Sequence, residues 1–570
     1  MSLTTLAAFW PVLSAGFVNW DDGANFVDNF NFRGLGWPQL RWMWTTFHMG
    51  HYQPLSWMTL GLDYLIWGMD PFGYHLTNLL LHCVNAVLFY FVALNLLRSA
   101  TTDAPKDGFS SSLAALFAAL LFAVHPLRVE SVAWVTERRD VLSGSFFMAT
   151  ILFYLKACAV APLRPSVVQL RAAAGCFLLS LLSKGIGMTM PLVLLVLDVY
   201  PLRRLPAAPS RWFEADARPM FWEKVPFVAA ALPFAAVAFL AQKHTGVIAR
   251  FASVGLVERF ELAAFGAAFY LLKSIAPFHL LPLYARPVHF DAMAPHFLWS
   301  IAAVAAIAAV LFLVRKRCPA LPAAGAFYLI TLSPVLGLVL SGIYLAADRY
   351  SYLPSLGLAL LAAAGAGLAH RRCGFLGKSA LVCLLGSLIV GLVALTRSQS
   401  RVWHDSVKLW SYTLSIDPLC APAHNNLGTA LARTGREADA VAEFQSAVSL
   451  DPQYAEAHNN LATAKVHQGK LDEAVAEYRL ALQADPAYAI ARDNLGAVFA
   501  AQGKFDEAIA EYRQALAVNP DDAHAHNNWG EALAGQGKTA EAASEFRRAL
   551  AISPNYTEPA KQLRSLPAGN

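Results

Sequence analysis

Residues 419–452 read LCAPAHNNLGTALARTGREADAVAEFQSAVSLDP, and residues 453–486 read QYAEAHNNLATAKVHQGKLDEAVAEYRLALQADP. The second stretch restates the first at a step of 34 residues. The step carries Asn426 to Asn460, Asn494 and Asn528, and Leu427 to Leu461, Leu495 and Trp529. It carries Gly435 to Gly469, Gly503 and Gly537, and Ala440 to Ala474, Ala508 and Ala542. Phe444, Tyr478, Tyr512 and Phe546 follow it, as do Pro418, Pro452, Pro486, Pro520 and Pro554. The physics of each position is consistent with a pair of antiparallel helices. The small Ala lets the helices approach and the aromatic fills the gap between them. The Gly closes the first helix with a positive φ, and the Pro opens the next unit after a turn. Such a unit cannot bury its apolar face alone, so neighbours stack into a solenoid.

A period of 34 with these residue types is the tetratricopeptide (TPR) signature. Four full repeats are expected over about 419–554, after a half-repeat at Val402–Ile416 and before a capping helix near Glu558–Leu566. Stacked repeats make a concave groove suited to an extended polypeptide. Asn426, Asn460, Asn494 and Asn528 are expected to line it, because an amide offers both donors and an acceptor to a peptide backbone. The same Asn is also a residue that stabilises the helix pair itself.

Outward from the repeats the composition changes sharply near residue 400. The 570-residue chain is 56% hydrophobic and 15% charged, with a mean hydropathy of +0.43, too apolar for a soluble protein. The excess lies before residue 400, and the reading divides the chain into a transmembrane domain at 1–400 and a TPR domain at 401–570. Apolar runs at 3–19, 77–97, 111–126, 141–160, 167–183, 186–200, 225–242, 258–277, 297–315, 321–342, 353–370 and 377–396 predict about eleven or twelve spans. The first lacks a basic leader and an A-x-A-like cleavage site, so a retained helix is expected. Arg98, Lys106, Lys156, Arg164, Arg315–Arg317, Arg371, Arg372 and Lys378 read as cytoplasmic. They share a side only with eleven crossings or a re-entrant segment, expected at 167–200, where Lys184 to Gly187 interrupts the apolar run. That parity leaves the repeats outside. The net charge of +5 is a matter of loop topology and indicates no nucleic-acid partner. The seven cysteines form no CxxC pair, which argues against a disulfide framework or a zinc site.

Polar segments beside apolar runs nominate a site. Asn19-Trp20-Asp21-Asp22 opens a long first outer loop (about 20–76) that contains His48, His51, Gln53 and Asp63. Its tryptophans, Trp37, Trp42, Trp44, Trp57 and Trp67, predict interfacial helices on the bilayer. An Asp at a membrane edge suits a general base for a hydroxyl, or a ligand for a divalent cation. Segments 125–140, 183–185 and 347–354 offer Arg138, Arg139, Lys184 and Arg349 as cations for a phosphate leaving group. Alternatively, Glu137, Arg138, Arg139 and Asp140 pair among themselves. His82 and His125 read as satisfied bundle histidines, and no HxxEH-like spacing supports zinc.

The combination of NWDD (19–22), HPLRVESVAWVTERRD (125–140), MTMPLVLLVLDVYPL (188–202), LSPVLGLV (332–339) and ADRYSYLPSLGL (347–358) resembles the transmembrane and TPR-repeat-containing O-mannosyltransferases and their bacterial relatives. The resemblance covers nearly the full length. It implies an all-α GT-C fold in the membrane half and transfer of mannose or another hexose from a polyprenyl-phosphate donor. The acceptor would be a Ser or Thr hydroxyl of a polypeptide on the outer face. It maps the expected catalytic acids to Asp21 and Asp22, and puts the repeats on the luminal or periplasmic side of, for a bacterial-type member, the inner membrane. One departure is Ser183-Lys184-Gly185, where eukaryotic members resemble Ser-Lys-Glu. The short first span is another, consistent with an incomplete N-terminus.

These readings converge on inverting glycosyl transfer. Asp21 or Asp22 would deprotonate the acceptor, the cations would stabilise the departing lipid phosphate, and the repeats would hold the acceptor polypeptide. The competing readings are an inactive membrane-anchored TPR scaffold, favoured by Gly185, and a transporter of lipid-linked sugars. The latter predicts charges inside helices and repeated halves, and neither is evident in the sequence.

Overall fold

The computed structural model describes residues 1–100, 108–160, 165–212, 214–244, 255–286, 291, 293–338, 344–553 and 556–566. Pro554, Lys106, Arg164 and Val339 of the sequence reading lie outside the described residues. The chain forms two compact units, Met1–Leu409 and Trp410–Asn570. Both are helical. Among the described residues the only sheet is a two-stranded antiparallel ribbon pairing Tyr284 with Ala346 and Ala285 with Tyr344.

In the first unit, five helices are long and apolar enough to cross a membrane: Pro71–Ala100, Val135–Ala159, Val225–Gln242, Pro295–Val314 and Phe375–Val402. Their burial separates their roles. Val135–Ala159 is 78% buried within the unit and lies at its centre, whereas Pro295–Val314 is 6% buried and turns its apolar side chains outward, as lipid contact requires. The expected eleven or twelve spans are not all single helices. The run at 111–126 becomes Ser110–Ala123 and Pro126–Ala133, bent by 56°. Pro126 has no N–H to continue the ladder, and the His125 ring accepts from Leu127 N instead. The runs at 167–183 and 186–200 are two short helices, broken where Lys184 takes an extended backbone. At 1.5 Å per residue neither spans a bilayer alone. Leu256–Ile275 has spanning length but carries Glu258, Arg259 and Glu261 in its first turns.

The loop after the first apolar segment folds inward. Helices Trp37–Thr45 and Pro54–Trp67 close over a core of Phe26, Phe32, Met43, Trp57, Leu60, Tyr74 and Val135. Trp57 is 1% exposed and packs edge-on to Trp42 and Phe26, so the interfacial reading of this residue is corrected. Trp37 and Trp44 are exposed.

The second unit contains the helix pairs Ala421–Arg433 and Glu437–Leu450, Ala455–His467 and Leu471–Ala484, Ala489–Ala501 and Phe505–Val518, and Ala523–Gly535 and Thr539–Ile552, with Thr557–Ser565 at the end. Gly435, Gly469, Gly503 and Gly537 take φ of +78°, +73°, +74° and +77°. Ala440, Ala474, Ala508 and Ala542 are fully buried beside Phe444, Tyr478, Tyr512 and Phe546. The helix ahead of the repeats is Ser406–Ile416, because Val402 still belongs to the long apolar helix Phe375–Val402.

Candidate functional site

A cavity of about 450 Å³ opens in the first unit, and Asp21, Arg139, Lys184 and Arg349 all lie on its wall. The carboxylate comes from the turn ahead of Gly23–Val27, where Asn25 N donates to Asp21 O at 2.9 Å. Arg139 sits in the first turn of Arg138–Val160, Lys184 at the break between two short helices, and Arg349 in the turn Asp348–Ser351. Ser56 Oγ donates to Ser183 O at 2.9 Å and ties the first loop to the lysine break.

Three buried carboxylates hold these cations. Glu137, with no exposed side-chain area, accepts from Arg139 at 2.7 and 3.2 Å and from Lys184 at 2.8 Å, and faces Arg349 Nε at 3.4 Å. Asp140 accepts from Lys184 at 2.6 Å. Glu130 pairs with the Arg349 guanidinium and accepts from its backbone N–H at 2.7 Å. The cations therefore reach the cavity fixed in place and charge-compensated, which a buried ion network requires.

The two aspartates are not equivalent. Asp22 does not line the cavity; it is 1% exposed and accepts from Val18 N at 3.0 Å, Thr136 N at 3.2 Å and Thr136 Oγ1 at 2.7 Å. Burial pushes its carboxyl up to about 7 against the pull of these hydrogen bonds. Asn25 Nδ2 donates to Thr136 Oγ1 at 3.1 Å, so this group clasps the first loop to the start of the central helix. Arg138 is also away from the cavity wall. It is fully buried and pairs with Asp63 at 2.6 Å, bonds Asn78, and donates to Tyr74 O at 2.9 Å.

His82 Nε2 donates to Ala123 O while its Nδ1 meets Tyr352 Oη, and His125 Nε2 donates to Ser274 O, as satisfied bundle histidines do. Among the described residues no three His, Cys, Asp or Glu side chains converge as a metal site.

Both units have counterparts among known proteins. Tetratricopeptide repeat family models match residues 397–455 with 494–557, and 453–521. The chain is 26% identical over 460 residues to protein O-mannosyl-transferase Tmtc3 of Drosophila melanogaster, covering 70% of this chain and 48% of that one. It is 25% identical over 439 residues to protein O-mannosyl-transferase TMTC1 of Homo sapiens, covering 70% and 47%.

Over 70% of its length the chain is similar to protein O-mannosyl-transferases.

It spans about half the length of these relatives. A thermophilic TPR protein of Thermus thermophilus is similar at 24% identity and TM-score 0.26, covering 31% of this chain and 95% of that one.

The structure also brings in residues to which the sequence reading gave no role. Glu130 and Asp63 have no role in the sequence reading because their partners lie 219 and 75 residues away. Asn25, His51, Gln53 and Thr136 line the cavity; only their polarity beside apolar runs marked them in the sequence. In the repeats, Asn460 Nδ2 donates to Asn425 Oδ1 and Asn494 Nδ2 to Asn459 Oδ1, both at 2.9 Å, and Asn528 Nδ2 reaches Asp493 at 3.0 Å. These amides form a ladder from each repeat to the one before. Asn460, Asn494 and Asn528 remain half-buried, while Asn426 is buried.

Proposed function

We propose that this protein is a membrane glycosyltransferase of the GT-C type that moves mannose or another hexose from a polyprenyl-phosphate donor to a Ser or Thr hydroxyl of a polypeptide. The observation that carries the reading is the convergence of one carboxylate, Asp21, with Arg139, Lys184 and Arg349 on one cavity wall. Asp21 takes the proton of the acceptor hydroxyl. The hydroxyl oxygen attacks the anomeric carbon from the face opposite the phosphate, forming the new glycosidic bond. The sugar–oxygen bond to the phosphate breaks, and its electron pair leaves with the lipid phosphate. The configuration inverts and no covalent enzyme intermediate forms.

The three cations face the departing phosphate as prepositioned charges, held by Glu137, Asp140 and Glu130 so that little reorganisation is needed. Asp22 acts through Thr136 by fixing the loop that bears Asp21. Arg138 belongs to the scaffold around Asp63. The sequence division at residue 400 gives the second unit its task. A polypeptide held by the TPR array, with the half-buried Asn460, Asn494 and Asn528 contacting its backbone, is confined near the same chain's catalytic unit. With the odd span count expected from the sequence, the repeats and the transfer would face the outer, periplasmic side of a bacterial inner membrane.

The test is sugar transfer in membranes from cells making wild type, Asp21→Asn or Asp22→Asn at matched levels, read by intact mass of secreted and periplasmic proteins. A hexose-sized addition with wild type and none with Asp21→Asn supports the reading. No addition with wild type moves the inactive scaffold ahead; Gly185 on the cavity wall is the observation that favours it.

A further inference from the structure

Five consecutive residues, Met49 to Gln53, line the cavity, and no step of the proposed transfer uses them. The segment is built to hold an unusual shape. Thr46 Oγ1 accepts from His48 N at 3.1 Å, and Gly50 N donates to Phe47 O at 2.8 Å. Met49 and Gly50 both take positive φ, 50° and 74°. For methionine that backbone is strained and persists only where the surroundings impose it.

The surroundings do so from several elements. The His48 ring lies 5.8 Å from Trp42 and 5.7 Å from Trp57. Gln242 Nε2, from the Val225–His244 helix, donates to Gly50 O at 2.9 Å, and Tyr52 packs 6.2 Å from Phe234 of the same helix. The result turns His51 and Gln53 to the cavity wall. Gln53 is 6% exposed, and its Oε1 is buried with no hydrogen-bond partner among the described residues.

We infer that the 48–53 segment is a recognition loop for the hydroxyls of a neutral hexose, with His51 and Gln53 as the groups that read the sugar. This rests on the glycosyl-donor reading above. A sugar hydroxyl both donates and accepts, so its partners must offer both functions without charge, as the Gln amide and a neutral imidazole do. The other polar groups facing the cavity are poorly suited. Arg139, Lys184 and Arg349 can only donate, Glu137, Asp140 and Glu130 are engaged with them, and Asp21 carries a charge. Asn25 and Thr136 already bond each other, and Gln242 already donates to Gly50 O. Burial, with Arg139 and Lys184 nearby, keeps His51 well below the usual imidazole range, so its ring stays neutral with one donor and one acceptor nitrogen. A hydroxyl donated to Gln53 Oε1 satisfies the atom left without a partner.

The experiment is binding of polyprenyl phosphate mannose, polyprenyl phosphate glucose and bare polyprenyl phosphate to the full-length protein in nanodiscs. Wild type is compared with His51→Phe and Gln53→Met, which conserve shape and remove the polar functions. Wild type is expected to prefer a glycosylated lipid, mannosylated or glucosylated, to the bare one. Each variant is expected to lose about three- to tenfold of that preference, the worth of one hydrogen bond, with affinity for bare polyprenyl phosphate unchanged. Variants that keep the full preference overturn the loop assignment, because the sugar is then read elsewhere. Variants that lose affinity for glycosylated and bare lipid equally also overturn it, showing a structural role. If wild type shows no preference for either the mannosylated or the glucosylated lipid over the bare one, the glycosyl-donor reading falls and the loop assignment with it; that outcome is recognised without the variants. If one variant fails to fold, as judged by its thermal midpoint, the other carries the comparison.

Discussion

At the scale of single residues, the division of labour between two adjacent aspartates yields the sharpest expectations. Asp21 faces the cavity and Asp22 is sealed behind it. Asp21→Asn should lower turnover by about 10²- to 10⁴-fold, the usual worth of a positioned base, with little change in thermal midpoint. Asp22 should show itself in stability instead. Its carboxyl stands at about 7 in the fold against 3.8 for the ordinary group. The folded state thus holds a proton that the unfolded state releases. The contribution of Asp22 is complete below pH 4, declines as pH rises toward 7 and is gone above it. The wild-type midpoint minus that of Asp22→Asn should therefore fall across that window; a flat difference would sink the assignment. Glu137 meets three cations from a fully buried position. Glu137→Gln should destabilise the first unit by about 3 kcal/mol or more, since it leaves buried positive charge uncompensated. The sequence made these cations legible by type and by their place beside apolar runs. It did not reveal their partners: Arg349 finds Glu130 and Arg138 finds Asp63 only through tertiary packing. The structure separates Arg138 from Arg139 because consecutive residues on a helix do not face the same way.

At the scale of elements, legibility follows how local the determining physics is. The repeats were readable because each structural requirement recurs every 34 residues within one helix pair. The positive φ at Gly435, Gly469, Gly503 and Gly537 is such a requirement, since no atom lies within 4 Å of a Cβ added there and conformation alone selects glycine. Gly469→Ala should cost about 1 kcal/mol. Gly530→Ala should cost more, about 1–3 kcal/mol, because a Cβ there would meet the Phe546 ring at 2.6 Å. Comparing the two thermal midpoints in the full chain separates strain from overpacking. The apolar runs of the first unit were equally visible, but their integrity only in part. Hydropathy marks 111–126 as apolar without saying that Pro126 bends it by 56°, whereas the interruption of 167–200 at Lys184 was legible as a polar residue inside an apolar run. Both breaks bear on the site. The first is followed by Glu130, and the second places Lys184 on the cavity wall.

At the scale of the whole molecule, the unit that bears the proposed site and a repeat array share one chain, and their energetic independence can be tested. The array's asparagines are expected to act on acceptor capture and not on chemistry. Asn460, Asn494 and Asn528 also spend an amide hydrogen on the preceding repeat. A structural role and a binding role therefore predict different kinetics for the same substitution. If the amides hold an acceptor polypeptide, Asn494→Ala should raise KM for a long unfolded polypeptide about tenfold and leave kcat unaltered. KM for a short Ser-containing peptide should not move, because a peptide too short to occupy the array gains nothing from tethering. If the amides serve only the ladder, both acceptors should behave alike and the thermal midpoint of the repeats should fall by itself. Asn425→Ala is the matched control. Asn425 accepts the Asn460 amide and bonds Tyr454 and Glu456, so its loss breaks a rung of the ladder while leaving Asn494 in place. A rise in KM for the long acceptor with Asn494→Ala but not with Asn425→Ala would assign acceptor binding to the asparagine face. Equal rises would assign the effect to the shape of the solenoid, and the repeats would then act on the acceptor through their curvature.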